Sequence, residues 1–296
     1  MNSSQLRTLV AVADSRSFAE AAEKLFITPS AVSHQVREIE EYLGQELFDR
    51  STRPPRLNPH GQSVVIRGRD ILRDLESLDQ MARSPDEISG TLRLGCVSGV
   101  SIDLIPRALA NIRQTHPAVQ VQMEEGLSNQ LAERVRRRDL DAAIITELAD
   151  RDPELDSLLI VEEPLMVVTP QSYVYADWRD ALSSHPFIRL NRNAGMGTVI
   201  DRVLRTEGLI LREAMELASS EVIVGMVAHG LGAAVVPSGR LRNMPSDAVN
   251  IIPFGNPNVY RRVVLVERVE NTGAVLARLV YDELKLLTNG PAQQAS

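Results

Sequence analysis

"FAEAAEKLFITPSAVSHQVREIE", residues 18–40, reads as two short helices joined by a tight turn that holds Phe26 and Ile27. Ser17 and Glu20 fit a capping box for the first helix, in which Phe18, Ala21, Ala22 and Leu25 face inward. Two neighbouring alanines suit a close helix crossing. Thr28 is positioned to cap the second helix, and Pro29 suits its first position, where no amide donor is needed. Val32, Val36, Ile39 and Leu43 then recur at spacings of 4, 3 and 4, a buried stripe. The opposite face presents Ser30, Ser33, His34, Arg37 and Glu41.

Working outward, Leu6, Leu9, Val10 and Ala13 form one face of a preceding helix. Downstream, "ELFDRSTRPPRLNPHG" (46–61) carries Arg50, Arg53, Arg56 and His60, with two prolines at its tip, and reads as a two-stranded wing. From Arg50 to Arg73 there are six arginines against one acid, Asp70, so an acidic chain holds a local basic strip. The quoted stretch is itself acidic, with Lys24 and Arg37 against Glu20, Glu23, Glu38 and Glu40. Small polar side chains at a helix start approach base edges closely, and the helix amino terminus favours phosphate. The expectation is therefore a DNA-reading helix, with phosphate attraction supplied mainly by Arg50, Arg53 and Arg56 of the wing. Three packed helices of a small bundle is the plainer reading of the helical pattern alone.

Asn58 and Pro59 suit the start of a fourth helix. Val64, Gly68, Ile71, Leu75, Leu78 and Ala82 repeat at 4, 3, 4, 3 and 4, a stripe of the coiled-coil kind. A helix of about 25 residues extends about 37 Å, close to one turn of DNA. A second copy of the chain is the simplest partner for the stripe, and packing on its own chain is the alternative. The helix ends in "RSPDEISG" (83–90), a polar break.

From Thr91 the pattern changes to strand and helix in alternation, through "TLRLGCV", "SIDLIPRALANIRQTHP", "VQVQMEEG", "LSNQLAERVRRRDL" and "DAAIIT". This implies a parallel sheet covered by helices. "EEPLMVVTP" begins a second such unit, and "NTGAVLARLVYDELKLLT" forms a closing helix. Two α/β lobes enclose a cleft, and sheet ends facing a crevice are favoured ligand sites.

Of the 296 residues, 44% are hydrophobic, and the net charge is −7, which excludes a chain that is basic throughout. One cysteine, Cys96, excludes an internal disulfide framework and multi-cysteine metal sites. Five histidines lie scattered without metal-ligand spacing, so no metal or cofactor is expected. No signal peptide and no apolar run of membrane-spanning length is visible, which points to a cytoplasmic protein without a membrane partner. "GCVSG" lacks the spacing of a nucleophile elbow. "GLGAAV" follows a helix, whereas a dinucleotide fingerprint follows a strand. No enzymatic activity is expected. The alternative is an α/β solute-binding or enzymatic protein with an incidental helical head, which leaves the wing arginines unexplained.

Taken together, these segments resemble the LysR-type transcriptional regulators over nearly the whole chain. The resemblance is most specific in "FAEAAEKLFITPSAVSHQVREIEEYLGQELFDRSTRPPRLNPHG", and "DLDAAI" and "VAHGLGAAVVP" are similar to recurrent family segments. It implies a multidomain fold: an all-α winged helix-turn-helix (1–60), a linker and dimerisation helix (61–88) and a periplasmic-binding-protein-like effector domain (89–290). Within the last, lobe I would span about 91–163 and 268–289 and lobe II about 164–267, with 291–296 as a flexible tail. It implies a homodimer through the linker helix, a homotetramer as dimer of dimers, and binding to double-stranded promoter DNA that shifts when a small-molecule effector enters the cleft. RNA polymerase is a further partner.

By resemblance Thr28, Pro29, Ser30, Ser33 and His34 lie where members touch bases and phosphates, and Arg50 and Arg53 match the wing arginines. Arg37 joins them on the exposed helix face. His34 departs from the more usual Arg, and Asn58 from the more usual Thr cap. In the effector domain, Ser98, Gly99, Val100 and Ser101 follow the first strand, and Ser128 and Asn129 the second. Gly197, Thr198 and Ser220 are the candidates from the second lobe. Amides at such helix starts suit a small anion.

Overall fold

The computed structural model describes residues 1–49, 51, 55–83, 88–101, 104–150, 152–171, 174–241, 245, 248–269 and 274–289. It divides into two compact units: residues 1–90 with 137–139, and residues 91–136 with 140–296.

The first unit contains α1 (Ser3–Ala13), α2 (Phe18–Leu25), α3 (Pro29–Leu43), strands β1 (Phe48–Asp49) and β2 (Arg56–Leu57), and α4 (Pro59–Arg83). Its core brings Leu9 and Val12 of α1 against Ala21 and Ala22 of α2 and Val32, Val36 and Ile39 of α3. The alanines let the helices cross closely, as their spacing suggests. Phe26 closes α2 with φ of 55°, a left-handed position rare for a bulky residue. β1 and β2 pair antiparallel, Phe48 opposite Leu57, to form the wing. Asn58 Oδ1 accepts from the Gly61 amide at 2.8 Å, so the cap of α4 forms as its residue type implies.

The stripe on α4 divides in two. Val65 is buried and Val64 half-buried against the helical core, and a methyl group added at Gly68 would meet Leu6 Cδ2 at 3.2 Å. Gly68 thus permits α4 to lie close on α1. Further along, Ile71, Leu75 and Leu78 are exposed, Leu78 by 61%. The amino-terminal half packs on its own chain, and beyond the buried Leu72 the side chains of Leu75 and Leu78 are exposed.

The second unit runs through β3 (Gly90–Cys96), α5 (Ser98–Ser101), α6 (Leu104–Thr115), β4 (Val119–Glu125), α7 (Ser128–Arg136), β5 (Ala142–Thr146) and β6 (Leu155–Thr169). It continues through α8 (Trp178–Ser183), β7 (Phe187–Leu190), α9 (Gly195–Thr206), β8 (Glu213–Leu217), α10 (Ser220–Ala228) and β9 (Ala234–Pro237), then a 3₁₀ turn (Ser238–Arg240), β10 (Asn250–Pro253), β11 (Tyr260–Arg268) and α11 (Ala274–Asn289). The main sheet follows the order β10-β6-β11-β5-β3-β4, with β9 also paired to β6. β3 and β5 are parallel, as expected, but β11 enters antiparallel between β5 and β6. β7 and β8 form a separate parallel pair.

Two cores define two lobes. Lobe I gathers Leu92, Leu94, Ile105, Ile144, Val263 and Leu265 under α6 and α11. Lobe II gathers Leu165, Val167, Trp178, Phe187, Ile223 and Val235. β6 passes from one to the other: Leu155–Leu159 pairs with β11, and Leu165–Thr169 pairs with β9 and β10. The return to lobe I comes earlier than the expected residue 268. Val263–Glu267 of β11 pairs with β5 of lobe I, so the second crossing lies between Phe254 and Tyr260. Residues 291–296, expected as a flexible tail, lie outside the described residues.

Candidate functional site

The exposed end of α3 is built from its cap. Thr28 Oγ1 accepts from the Ala31 amide at 3.2 Å and lies 2.9 Å from Ser30 Oγ. Pro29 takes the first helical turn. Ser33 and Arg37 line a groove of about 370 Å³ with Phe18, Phe48 and Pro55. His34 and Arg37 are exposed, with His34 Nδ1 3.6 Å from the Glu38 carboxylate. Arg56 stands exposed on β2. Arg50 and Arg53, assigned to DNA from the sequence, lie outside the described residues. Phe26, 95% exposed, stands at the turn between α2 and α3.

Three acids of this segment, Glu20, Glu38 and Glu40, make bonds within the fold. Glu40 is buried and accepts from the Leu47 amide at 2.8 Å. Glu38 accepts from Gln5 Nε2 at 3.0 Å. Glu20 accepts from the Arg16 amide at 2.8 Å and pairs with Lys24 at 3.0 Å; that backbone bond and the lysine hold its carboxyl below the usual range. Glu40 and Glu20 fasten helices to loop amides, and Glu38 ties α3 to α1.

In the second unit, the carboxyl ends of strands from both lobes converge on a narrow interlobe cleft of about 60 Å³. Lobe I contributes Ser98, Gly99, Ser128 and Thr146, and lobe II contributes Asn191, Gly195, Met196 and Ser220. Arg261 reaches the same space from β11. Ser128 is 1% exposed and its Oγ has no hydrogen-bond partner. A buried hydroxyl without a partner costs about 1–3 kcal/mol, so its retention needs a reason. Facing it is the start of α9, whose N-cap, Ala194, makes no side-chain cap bond. The first amides of α9 are therefore open to an acceptor. A methyl group added at Gly195 would lie 2.7 Å from Ser128 Oγ and 3.0 Å from Thr146 Cβ. Only glycine lets the lobes approach this closely.

Four expected positions stand elsewhere. Val100 is buried in the lobe I core and borders a different cavity. Asn129 is exposed, and its Oδ1 accepts from the Gln130 amide at 2.9 Å. Gly197 packs on the loop before α9, where an added methyl would meet the Asn191 carbonyl at 2.1 Å. Thr198 bonds the Arg192 and Ala194 carbonyls at 3.3 Å on the outer side of α9. The Ser101 side chain lies outside the described part of the structure. Conversely, Thr146, Asn191, Gly195, Met196 and Arg261 were not expected. Asn191 and Gly195 follow "PFIRL", so the rule that loops after strands bind ligands reaches them. Arg261 has no local signal, since it opens an ordinary apolar strand.

Behind the cleft an ion-pair network joins the lobes. Arg240 Nη1 donates to Glu221 at 2.8 Å, and Nη2 donates to the Gly99 carbonyl at 3.1 Å. Arg261 Nε donates to Glu163 at 2.7 Å, and the other Glu163 oxygen accepts from the Gly239 amide at 2.7 Å. Burial pushes the Glu221 carboxyl up, but the Ser219 hydroxyl and Arg240 outweigh it and leave the group below its ordinary range.

Cys96 is fully buried in the lobe I core. Burial pushes its thiol up to about 12, with Glu125 adding to the effect and Arg261 opposing it. A thiol so protonated is a poor nucleophile. Among the described residues no cluster of metal-ligating side chains occurs, and no helix is long and apolar enough to cross a membrane.

A capped recognition helix beside a two-stranded wing, with a two-lobed α/β ligand domain, defines an effector-responsive DNA-binding regulator. The chain belongs to the LysR family: residues 3–62 match the bacterial regulatory helix-turn-helix of that family, and residues 85–286 match its substrate-binding domain. It is a DNA-binding transcriptional regulator with an effector-binding domain, and its relatives are regulators rather than enzymes. A probable RuBisCO transcriptional regulator from Cyanidium caldarium is 32% identical over 98% of this chain and 96% of its own. Among solved structures, a full-length OxyR from Pseudomonas aeruginosa superposes with a TM-score of 0.75 at 24% identity, covering 97% of this chain and 95% of that one. Full-length CbnR complexed with its target DNA superposes with a TM-score of 0.64 at 18% identity, covering 96% of this chain and 99% of that one.

Proposed function

We propose that this regulator senses a small anion, held in the interlobe cleft by Ser128 Oγ, the open amides at the start of α9 and Arg261. The observation that carries the reading is the buried, unpartnered Ser128 hydroxyl opposite an uncapped helix amino terminus. An anion completes both, and Arg261, itself paired with Glu163, lines the same space. Ser98, Gly99 and Ser220 border the same space and fix the shape of the ligand. The small volume favours a compact acid over a nucleotide or an aromatic acid. Occupancy shifts the relation of the lobes and, through it, the contacts with promoter DNA. Thr28, Pro29, Ser30, Ser33, His34 and Arg37 read the site, while Arg50, Arg53 and Arg56 hold phosphate. The exposed Ile71, Leu75 and Leu78 stripe supports pairing of two copies through α4, within a larger homo-oligomer. The protein works in the cytoplasm, where its DNA and RNA polymerase are found.

The test is thermal shift on the full-length protein against acetate, lactate, malonate, phosphate and sulfate. A ligand that binds the folded form alone raises Tm. At least one anion is expected to raise it, and Ser128→Val is expected to abolish the shift while leaving the unliganded protein folded. No shift with any of the five, or an undiminished shift in Ser128→Val, would count against the reading.

A further inference from the structure

A second cavity, of about 480 Å³, crosses the hinge and takes residues from both lobes. Its size falls within the usual range for small-molecule sites, roughly 300–1,000 Å³. Val100 and Leu104 of lobe I face it, together with Met166, Leu241 and Ile251 of lobe II. Ile251 is a large apolar side chain left 47% exposed. Arg240 and Arg261 form the polar end. Glu163 has both oxygens engaged, by Gly239 and Arg261. Arg240 differs: Nη1 and Nη2 have partners, but its buried Nε has none. A buried guanidinium with an unmet donor calls for an acceptor, and the fork of Arg suits a carboxylate.

We infer that this hinge cavity is a second ligand site, for a molecule with an apolar body of moderate length and one carboxylate. The carboxylate meets Arg240, and the apolar body lies along Leu104, Met166, Leu241 and Ile251. The inference is independent of the anion reading of the cleft, because it rests on Arg240 and Ile251, which the cleft does not use, and on a cavity several times larger. Gly99 and Arg261 border both spaces.

Octanoate is the probe, with octanol and acetate as controls, measured by isothermal titration on the full-length protein. Octanoate is expected to bind saturably, and octanol and acetate more weakly. Arg240→Gln removes the charged partner and is expected to weaken octanoate about tenfold or more, the scale of a lost charge-assisted hydrogen bond. Ile251→Trp fills the cavity from an exposed rim position without loading the core, and is expected to block binding. Ser128→Val, in the cleft, is expected to leave octanoate affinity unchanged. Equal affinity for octanol, undiminished binding in Ile251→Trp, loss of binding in Ser128→Val, or no heat at all would each overturn the assignment.

Discussion

Gly195 and Ser128 meet across the cleft at a separation that leaves no room for a methyl group, 2.7 Å from the position of a Cβ to Ser128 Oγ. Thr146 closes the same gap at 3.0 Å. Gly195→Ala must therefore move lobe II away from lobe I or displace the Ser128 side chain. Overpacking of this kind costs about 1–3 kcal/mol. The expected result is a lowered urea midpoint with an unchanged slope, together with a weakened response to any anion that Ser128 binds. A midpoint equal to that of the parent protein would mean the lobes already stand further apart.

The DNA surface separates reading from holding. Ser33 lines the groove beside Arg37, and Arg56 stands exposed on the wing. Ser33→Ala is expected to change the order of preference among operator variants. Arg56→Ala is expected to weaken all DNA alike and to reduce the slope of log K against log salt by about one. Mobility shift across several salt concentrations distinguishes the two. Equal, sequence-independent losses for both would contradict the division.

Leu78 is 61% exposed, so Leu78→Asp removes little folded-state packing. Its effect should fall on self-association. Sedimentation velocity is expected to show smaller species at concentrations where the parent protein is assembled, with helical content by circular dichroism unchanged. An unaltered sedimentation profile would remove α4 as the pairing surface.

Cys96 titrates far above its ordinary value of 9.0, at about 12, chiefly through burial. Folding thus favours the protonated thiol. Its contribution to stability is complete below pH 9 and is lost as pH rises toward 12. At pH 8 iodoacetamide is expected to leave the native protein unlabelled and to label it fully in urea, read by mass spectrometry. Labelling of the native chain at the unfolded rate would place the thiol at the surface.

The helical head was legible because its information is local. Thr28, Pro29 and the Val32–Val36–Ile39 stripe each act within a few residues, and caps and periodicity survive transfer from sequence to structure. The lobe boundary was less legible. Pairing of Val263–Glu267 with β5 joins residues more than a hundred apart, and an apolar strand gives no hint of its neighbour or direction. The cleft was legible in part for a related reason. Ser98, Ser128 and Ser220 begin helices after strands, as ligand loops do, but so does Asn129, which faces outward. The turn of a helix about its own axis is set by packing. Arg261 lay beyond reach because its role depends on which strands meet at the crossing.

The crossing itself restricts how the effector domain can move. Two chain segments join the lobes, one through Glu162–Pro164 of β6 and the other entering β11 at Tyr260. These segments are paired to each other, with Tyr260 opposite Pro164 and Arg261 opposite Glu163. Two tethered rods cannot slide past one another without breaking their ladder, yet they can twist together about a shared axis. The register shift between Val263 and Val264 sits just inside lobe I, where such a twist would be absorbed. A paired crossing of this kind opposes sliding of the lobes and leaves a joint twist as the motion that keeps its ladder intact.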